Sequence, residues 1–74
     1  MGQTATFTFA VEGMHCASCG MLIDETVEDL DGVLSSATSL RTARATVTLD
    51  QARCDPADVV DAIRQAGYTA LLEA

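Results

Sequence analysis

The sequence contains no lysine and no tryptophan, a single proline, and only four arginines against eleven acidic residues. The resulting net charge of −7 repels phosphate backbones, so the composition excludes a nucleic-acid-binding protein. No segment approaches the roughly 18 apolar residues that a membrane span needs, and residues 1–11 lack the basic and apolar regions of a signal peptide. We therefore expect a soluble protein that is neither membrane-embedded nor exported.

The length of 74 residues suffices for one small domain, with little room for an enclosed catalytic pocket. Hydrophobic residues make up 49% of the chain but aromatic residues are scarce, so aliphatic side chains must fill the core. The three cysteines, Cys16, Cys19 and Cys54, are an odd number at spacings unlike a disulfide framework. We expect a single domain over residues 1–74, a binding module and not an enzyme, with functional thiols in the reducing cytoplasm.

Hydrophobic periodicity alternates between strand and helix patterns. Alternation with period 2 predicts four strands, at residues 6–11, 33–39, 44–49 and 69–72. A helical stripe that ends at Asp31-Gly32 comprises Cys19, Leu22, Ile23, Thr26, Val27 and Leu30. A second helix has Asp55 as its N-cap and Pro56 as its first residue, and it ends at Gly67. This order predicts an α+β fold, a ferredoxin-like βαββαβ sandwich with a four-stranded antiparallel sheet and two helices on one face.

The predicted topology decides which loops can meet. Right-handed crossovers bring three connections to one end of the sheet: residues 13–19, the hairpin at 41–43 and the turn at 67–68. Cys54 follows the third strand and falls at the opposite end, about 20 Å away. We therefore expect Cys54 to stay outside any site built from Cys16 and Cys19, and we assign it no role.

The segment from Gly13 to Cys19 carries the chemistry. Two thiols separated by two residues at the start of a helix can converge on one ion or on one another. The helix dipole and the first-turn amides favour the thiolate form at this position. Cys19 lies on the apolar stripe and should be shielded, whereas Cys16 precedes the helix and should meet an incoming partner first.

The run Gly13-Met14-His15-Cys16-Ala17-Ser18-Cys19 resembles the Gly-Met-x-Cys-x-x-Cys signature of the heavy-metal-associated (HMA) domain family. The likeness extends over essentially the whole chain, through Ile23-Asp24, Gly32-Val33, Ala45-Thr46-Val47 and the run from Ile63 to Tyr68. The resemblance implies a βαββαβ fold and a Cu(I) site made by Cys16 and Cys19, as in bacterial CopZ-type copper chaperones and the N-terminal domains of copper-transporting P-type ATPases. It also implies that Met14 is a buried strut under the loop and not a ligand.

The chemistry of the donors agrees with copper, because two thiolates make a soft, under-filled site that suits low-coordinate Cu(I), whereas a closed structural zinc site needs four ligands. The predicted function is a soluble Cu(I) metallochaperone that passes copper by thiolate exchange to a copper-transporting P-type ATPase or a copper-responsive regulator. Because the family places the turn at Gly67 beside the metal, we assign the ring of Tyr68 to covering the site, with a core aromatic at the rim as the alternative. For His15 we favour solvent exposure over ligation. The apo protein is expected to be a monomer, with a copper-bridged homodimer as an alternative.

Three other functions stay open. The first alternative to a free-standing chaperone is that the chain is an excised N-terminal domain of a copper ATPase. The same fold could instead carry mercury(II) or zinc, but zinc-transporting relatives tend to place a carboxylate where this chain has His15. A Cys-x-x-Cys pair is also typical of a thiol-disulfide oxidoreductase. A thioredoxin-like fold needs roughly a hundred residues and a cis-proline beside the cysteines, whereas Pro56 starts a helix at the far end.

Overall fold

The structure is a computed structural model that describes residues 3–14 and 17–73. The helices and strands within them are β1 (Thr4–Glu12), α1 (Ala17–Glu28), β2 (Val33–Ser39), β3 (Arg44–Asp50), α2 (Pro56–Gln65) and β4 (Thr69–Leu72). The strands form one antiparallel sheet in the order β2-β3-β1-β4. The predicted α+β, ferredoxin-like βαββαβ fold is confirmed, and β2 and β4 are the edges of its sheet.

The register of the sheet sorts its residues into two faces. Phe9 pairs with Ala45 and Phe7 pairs with Val47, so these residues share the face that the helices cover. The largest fully buried side chains are Phe9, Ile23, Leu49, Ile63, Val27, Val47 and Val59. Each such side chain stabilises the fold by about 1.5–3 kcal/mol. On the opposite face the hydroxyl groups of Thr6 and Thr48 form a hydrogen bond, with 3.0 Å between the two Oγ1 atoms.

The buried residues and the end of helix α1 differ from the predicted apolar stripe. Ile23 and Val27 are fully buried, but Leu22 is 51% exposed, so its predicted place in the core is wrong. The helix also ends at Glu28, which leaves Leu30 in the connection to β2, where it is half-buried against the core. Leu22 lies about 100° around the helix from Ile23, on the flank away from Asp24. The flank that carries Asp24 contacts β2, and Leu22 lies on the other, exposed flank.

The connections at one end of the sheet meet as the topology predicts. The backbone N–H of Val11, at the end of β1, donates to the carbonyl oxygen of Ala43 in the β2–β3 hairpin at 2.8 Å. At the opposite end the turn at Gly32 packs against Arg53 and Cys54. Neither α1 nor α2, the helices of the described ranges, is long and apolar enough to span a bilayer.

Candidate metal centre

Cys19 lies in the first turn of α1 and is only 6% exposed. The first-turn amides of a helix have no partner within that helix, and they favour a negatively charged sulfur nearby. The predicted shielding of Cys19 is confirmed by its burial. Cys16 and His15 lie outside the described residues, so the exposure of Cys16 and the orientation of His15 stay predictions.

Met14, in the loop, and Tyr68, in the turn before β4, both pack against the core. Met14 is half-buried, as is Tyr68. Gly13 has φ +98°, and a Cβ built there would lie 3.5 Å from Cδ1 of Tyr68. The turn before β4 therefore brings the Tyr68 ring against the residue that begins the Gly13–Cys19 loop. The roles of Met14 as a strut and Tyr68 as a cover over the metal stay predictions.

Residues of β2 also border the first turn of α1, although no motif in the sequence marks them. A Cβ on Gly20, the residue after Cys19, would lie 3.6 Å from Cβ of Thr38. Thr38 and Ser36 both donate hydrogen bonds to the carboxylate of Asp24. The sequence does carry a signal for this contact, since Ser36 and Thr38 are polar residues on the side of the strand that faces the helix. Polar groups on such a face need hydrogen-bond partners.

Cys54 lies at the other end of the fold. It is buried, and its thiol donates to the backbone carbonyl of Asp55 at 3.6 Å. Burial raises the pKa of the Cys54 thiol, and the carboxylates of Asp58, Asp55 and Asp31 raise it further. The position agrees with the prediction that Cys54 stands apart from Cys19, since β3 separates its loop from the hairpin at 41–43.

We expect the thiol of Cys54 to react slowly in the folded protein. Because the raised pKa keeps it protonated at neutral pH and its burial limits access, alkylation by iodoacetamide should be at least about tenfold slower than in denaturant. Deprotonation disfavours the folded state for a group whose pKa is raised on folding, so the contribution of this thiol to stability is present at neutral pH and is lost as the pH rises. Peptide mass spectrometry of pulse-labelled protein measures the rates; equal rates in the two states would contradict the expected protection.

Within residues 3–14 and 17–73, no group of three or more His, Cys, Asp or Glu side chains is placed to hold a metal ion. The donor that the structure describes at the loop is the sulfur of Cys19, and the sequence supplies a second sulfur three residues earlier, from Cys16. Two sulfur donors fit a soft metal ion that accepts low coordination.

These features define a small ferredoxin-like domain with a cysteine pair where the first strand meets the first helix. The family model of the heavy-metal-associated domain matches residues 8–69, and the chain belongs to this family of metal-binding domains. Its resemblance to CopZ-type proteins is also confirmed: the structure of a CopZ metallochaperone superposes with a TM-score of 0.87 and 27% identity, over 90% of this chain and 100% of that chain.

Two proteins of similar sequence are named for different metals. Copper-transporting ATPase 2 of Rhizobium meliloti is 38% identical over 66 residues, which cover 89% of this chain but only 8% of the ATPase. The periplasmic component of the mercuric transport protein of Salmonella typhi is 33% identical over 70 residues, covering 95% of this chain and 77% of that protein. Both names state metal transport, but the metals that they name differ.

Proposed function

We propose that this chain is a Cu(I) metallochaperone of the cytoplasm, which holds the ion between the sulfurs of Cys16 and Cys19. The observation that carries the proposal is the position of Cys19, which is buried in the first turn of α1. The sequence predicts that Cys16 precedes the helix and is the more exposed sulfur. One sheltered and one accessible sulfur suit a site that retains its ion in solution and releases it to a partner.

Transfer would proceed by exchange of thiolate ligands. A thiolate of the acceptor adds to Cu(I) to give a three-coordinate ion, and the bond to Cys16 then breaks. A second acceptor thiolate adds in the same way, and Cys19 leaves last because it is the shielded sulfur. No electron moves, and the number of thiolates on the ion returns to two. The acceptor we propose is a copper-transporting P-type ATPase or a copper-responsive regulator, which the resemblance to a CopZ metallochaperone and to a copper ATPase supports.

Mercury(II) is the second candidate cargo. The similarity to the mercuric transport protein favours it, and two thiolates also suit this soft ion. The sheltered position of Cys19 serves either metal, so the donor set alone leaves both candidates. The structure of oxidised MerP also superposes over 99% of its own length, so coverage does not separate the two cargoes. Cu(I) is preferred because the similar proteins include both copper chaperones and copper-ATPase domains.

An anaerobic titration of the reduced protein tests the proposal. Cu(I), Hg(II) and Zn(II) are each titrated against a competing chelator, and native mass spectrometry reports the number of ions and protein chains per complex. We expect one tightly bound Cu(I) per chain, with an affinity that weakens on acidification because protons compete for the thiolates. Weak Cu(I) binding beside tight Hg(II) or Zn(II) binding would reassign the cargo. Tight binding of no metal would favour a thiol-disulfide oxidoreductase.

A further inference from the structure

The carboxylate of Asp24 joins helix α1 to the edge strand β2. Its Oδ1 accepts hydrogen bonds from Oγ of Ser36 and Oγ1 of Thr38, each at 2.7 Å. Its Oδ2 accepts a bond from the backbone N–H of Thr38 at 3.3 Å. Hydrogen bonds to an ionised acceptor are short and roughly twice as strong as bonds between neutral groups. One side chain thus makes three contacts with two residues of the strand.

Thr38 connects this contact to the first turn of the helix. It bonds to Asp24, and its Cβ and Cγ2 also lie 3.6 Å from the position of a Cβ on Gly20. Gly20 directly follows Cys19 in the chain. A Cβ at Gly20 would make ordinary van der Waals contact with Thr38, so Thr38 lies directly beside the turn that carries Cys19.

The apolar contacts of α1 do not fix its rotation by themselves. Hydrophobic attraction is non-directional, so the burial of Ile23 and Val27 tolerates small rotations of the helix. Hydrogen bonds are directional and weaken steeply when misaligned. In the observed orientation Leu22 is 51% exposed, and the carboxylate of Asp24 accepts hydrogen bonds from β2. The polar contact with β2 therefore adds a directional restraint on which way the first turn of α1 faces.

We propose that Asp24 is a positioning residue of the metal centre, which acts through Thr38 to fix the first turn of α1 and hence the sulfur of Cys19. This inference rests on the proposed Cu(I) function, and it assigns to Asp24 no contact with the metal. Groups that orient metal ligands typically change metal affinity by 10–100-fold when they are removed. A sulfur free to rotate away from the ion would bind it less tightly and release it faster.

Asp24→Asn and Thr38→Val test the positioning role, with Glu28→Gln as the matched control. Glu28 lies on the same helix and accepts a bond from the backbone N–H of Ser36 at 3.2 Å, but it is about 13 Å along the helix from Cys19. Glu28→Gln and Asp24→Asn change the net charge equally. Thr38→Val keeps the shape that packs on Gly20 and removes the hydroxyl. We expect Cu(I) affinity to fall about tenfold in Asp24→Asn and Thr38→Val, and to stay within about twofold in Glu28→Gln.

Hydrogen exchange of the apo proteins supplies a readout that does not depend on metal. Amides at residues 19–23 should exchange faster in Asp24→Asn and Thr38→Val, while amides of β3 and α2 keep their protection and show that the fold is intact. Unchanged Cu(I) affinity in Asp24→Asn, or an equal loss in Glu28→Gln, would overturn the positioning role alone. Failure of the wild-type chain to bind Cu(I) would overturn the proposed function, and with it the metal role of Asp24.

Discussion

Replacing either Cys16 or Cys19 by serine is expected to abolish tight Cu(I) binding. A hydroxyl is a hard, weakly acidic donor, so serine cannot replace a thiolate as a ligand of a soft ion. Removal of groups that only orient a ligand costs 10–100-fold in affinity, so the loss of a ligand itself should exceed about 100-fold. Competition of each anaerobic variant with a Cu(I) chelator measures the change.

The two variants should differ in stability. Cys16→Ser should leave the fold unaffected, because the sequence places this residue before the helix. Cys19→Ser puts a hydroxyl where a 6% exposed sulfur packs, and burying a polar group in place of a sulfur costs free energy. Circular dichroism and thermal unfolding of both apo variants separate this effect from lost binding.

Cys54→Ser is the control for these substitutions, since it removes a thiol at the far end of the fold. We expect its Cu(I) affinity to equal that of the wild-type chain. Tight binding retained by either Cys16→Ser or Cys19→Ser would contradict the two-thiolate site. A loss of binding in Cys54→Ser would instead show that a sulfur remote from the loop takes part, which the separation of the two ends by β3 argues against.

Local patterns in the sequence predict most of this fold. The strand over Val33–Ser39 and the strand over Thr69–Leu72 have the bounds that alternation predicts, because turn residues flank each run. The rotation of α1 could not be predicted in this way. Helical periodicity places Leu22 on the stripe, but the contacts of Asp24 with Ser36 depend on which strand lies beside the helix, and that is a property of the tertiary fold.

The candidate site also has features that the sequence predicts and features that depend on the tertiary fold. The spacing of Cys16 and Cys19 is visible in the sequence, and so is the topology that brings the turn at Tyr68 to their end of the sheet. The proximity of Tyr68 to Gly13 agrees with that topology. The contact between Gly20 and Thr38 is not visible, since residues eighteen apart in sequence meet only after the helix crosses the sheet and β2 returns beside it.

Gly32→Ala is expected to cause a large loss of stability among substitutions remote from the cysteine pair. Gly32 has φ +100°, a region that costs a residue with a side chain about 1–2 kcal/mol. A Cβ there would lie 2.7 Å from Cβ of Arg53 and 2.9 Å from Cβ of Cys54, and relief of such overpacking costs about 1–3 kcal/mol more. The expected loss of about 2–5 kcal/mol is a large part of the roughly 4–11 kcal/mol available to a domain of this length. Thermal unfolding should show a midpoint lower by more than about 10 °C.

Gly67→Ala separates the two causes of this loss. Gly67 has φ +101°, nearly the value at Gly32, but a Cβ there would meet no atom within 4 Å. Its substitution should therefore cost only the backbone penalty of about 1–2 kcal/mol. The difference between the two variants isolates the contact of the α1–β2 turn with the loop that carries Arg53 and Cys54. Equal losses in Gly32→Ala and Gly67→Ala would mean that this loop yields to a methyl group without cost, and that the end of the fold opposite the metal centre is loosely packed.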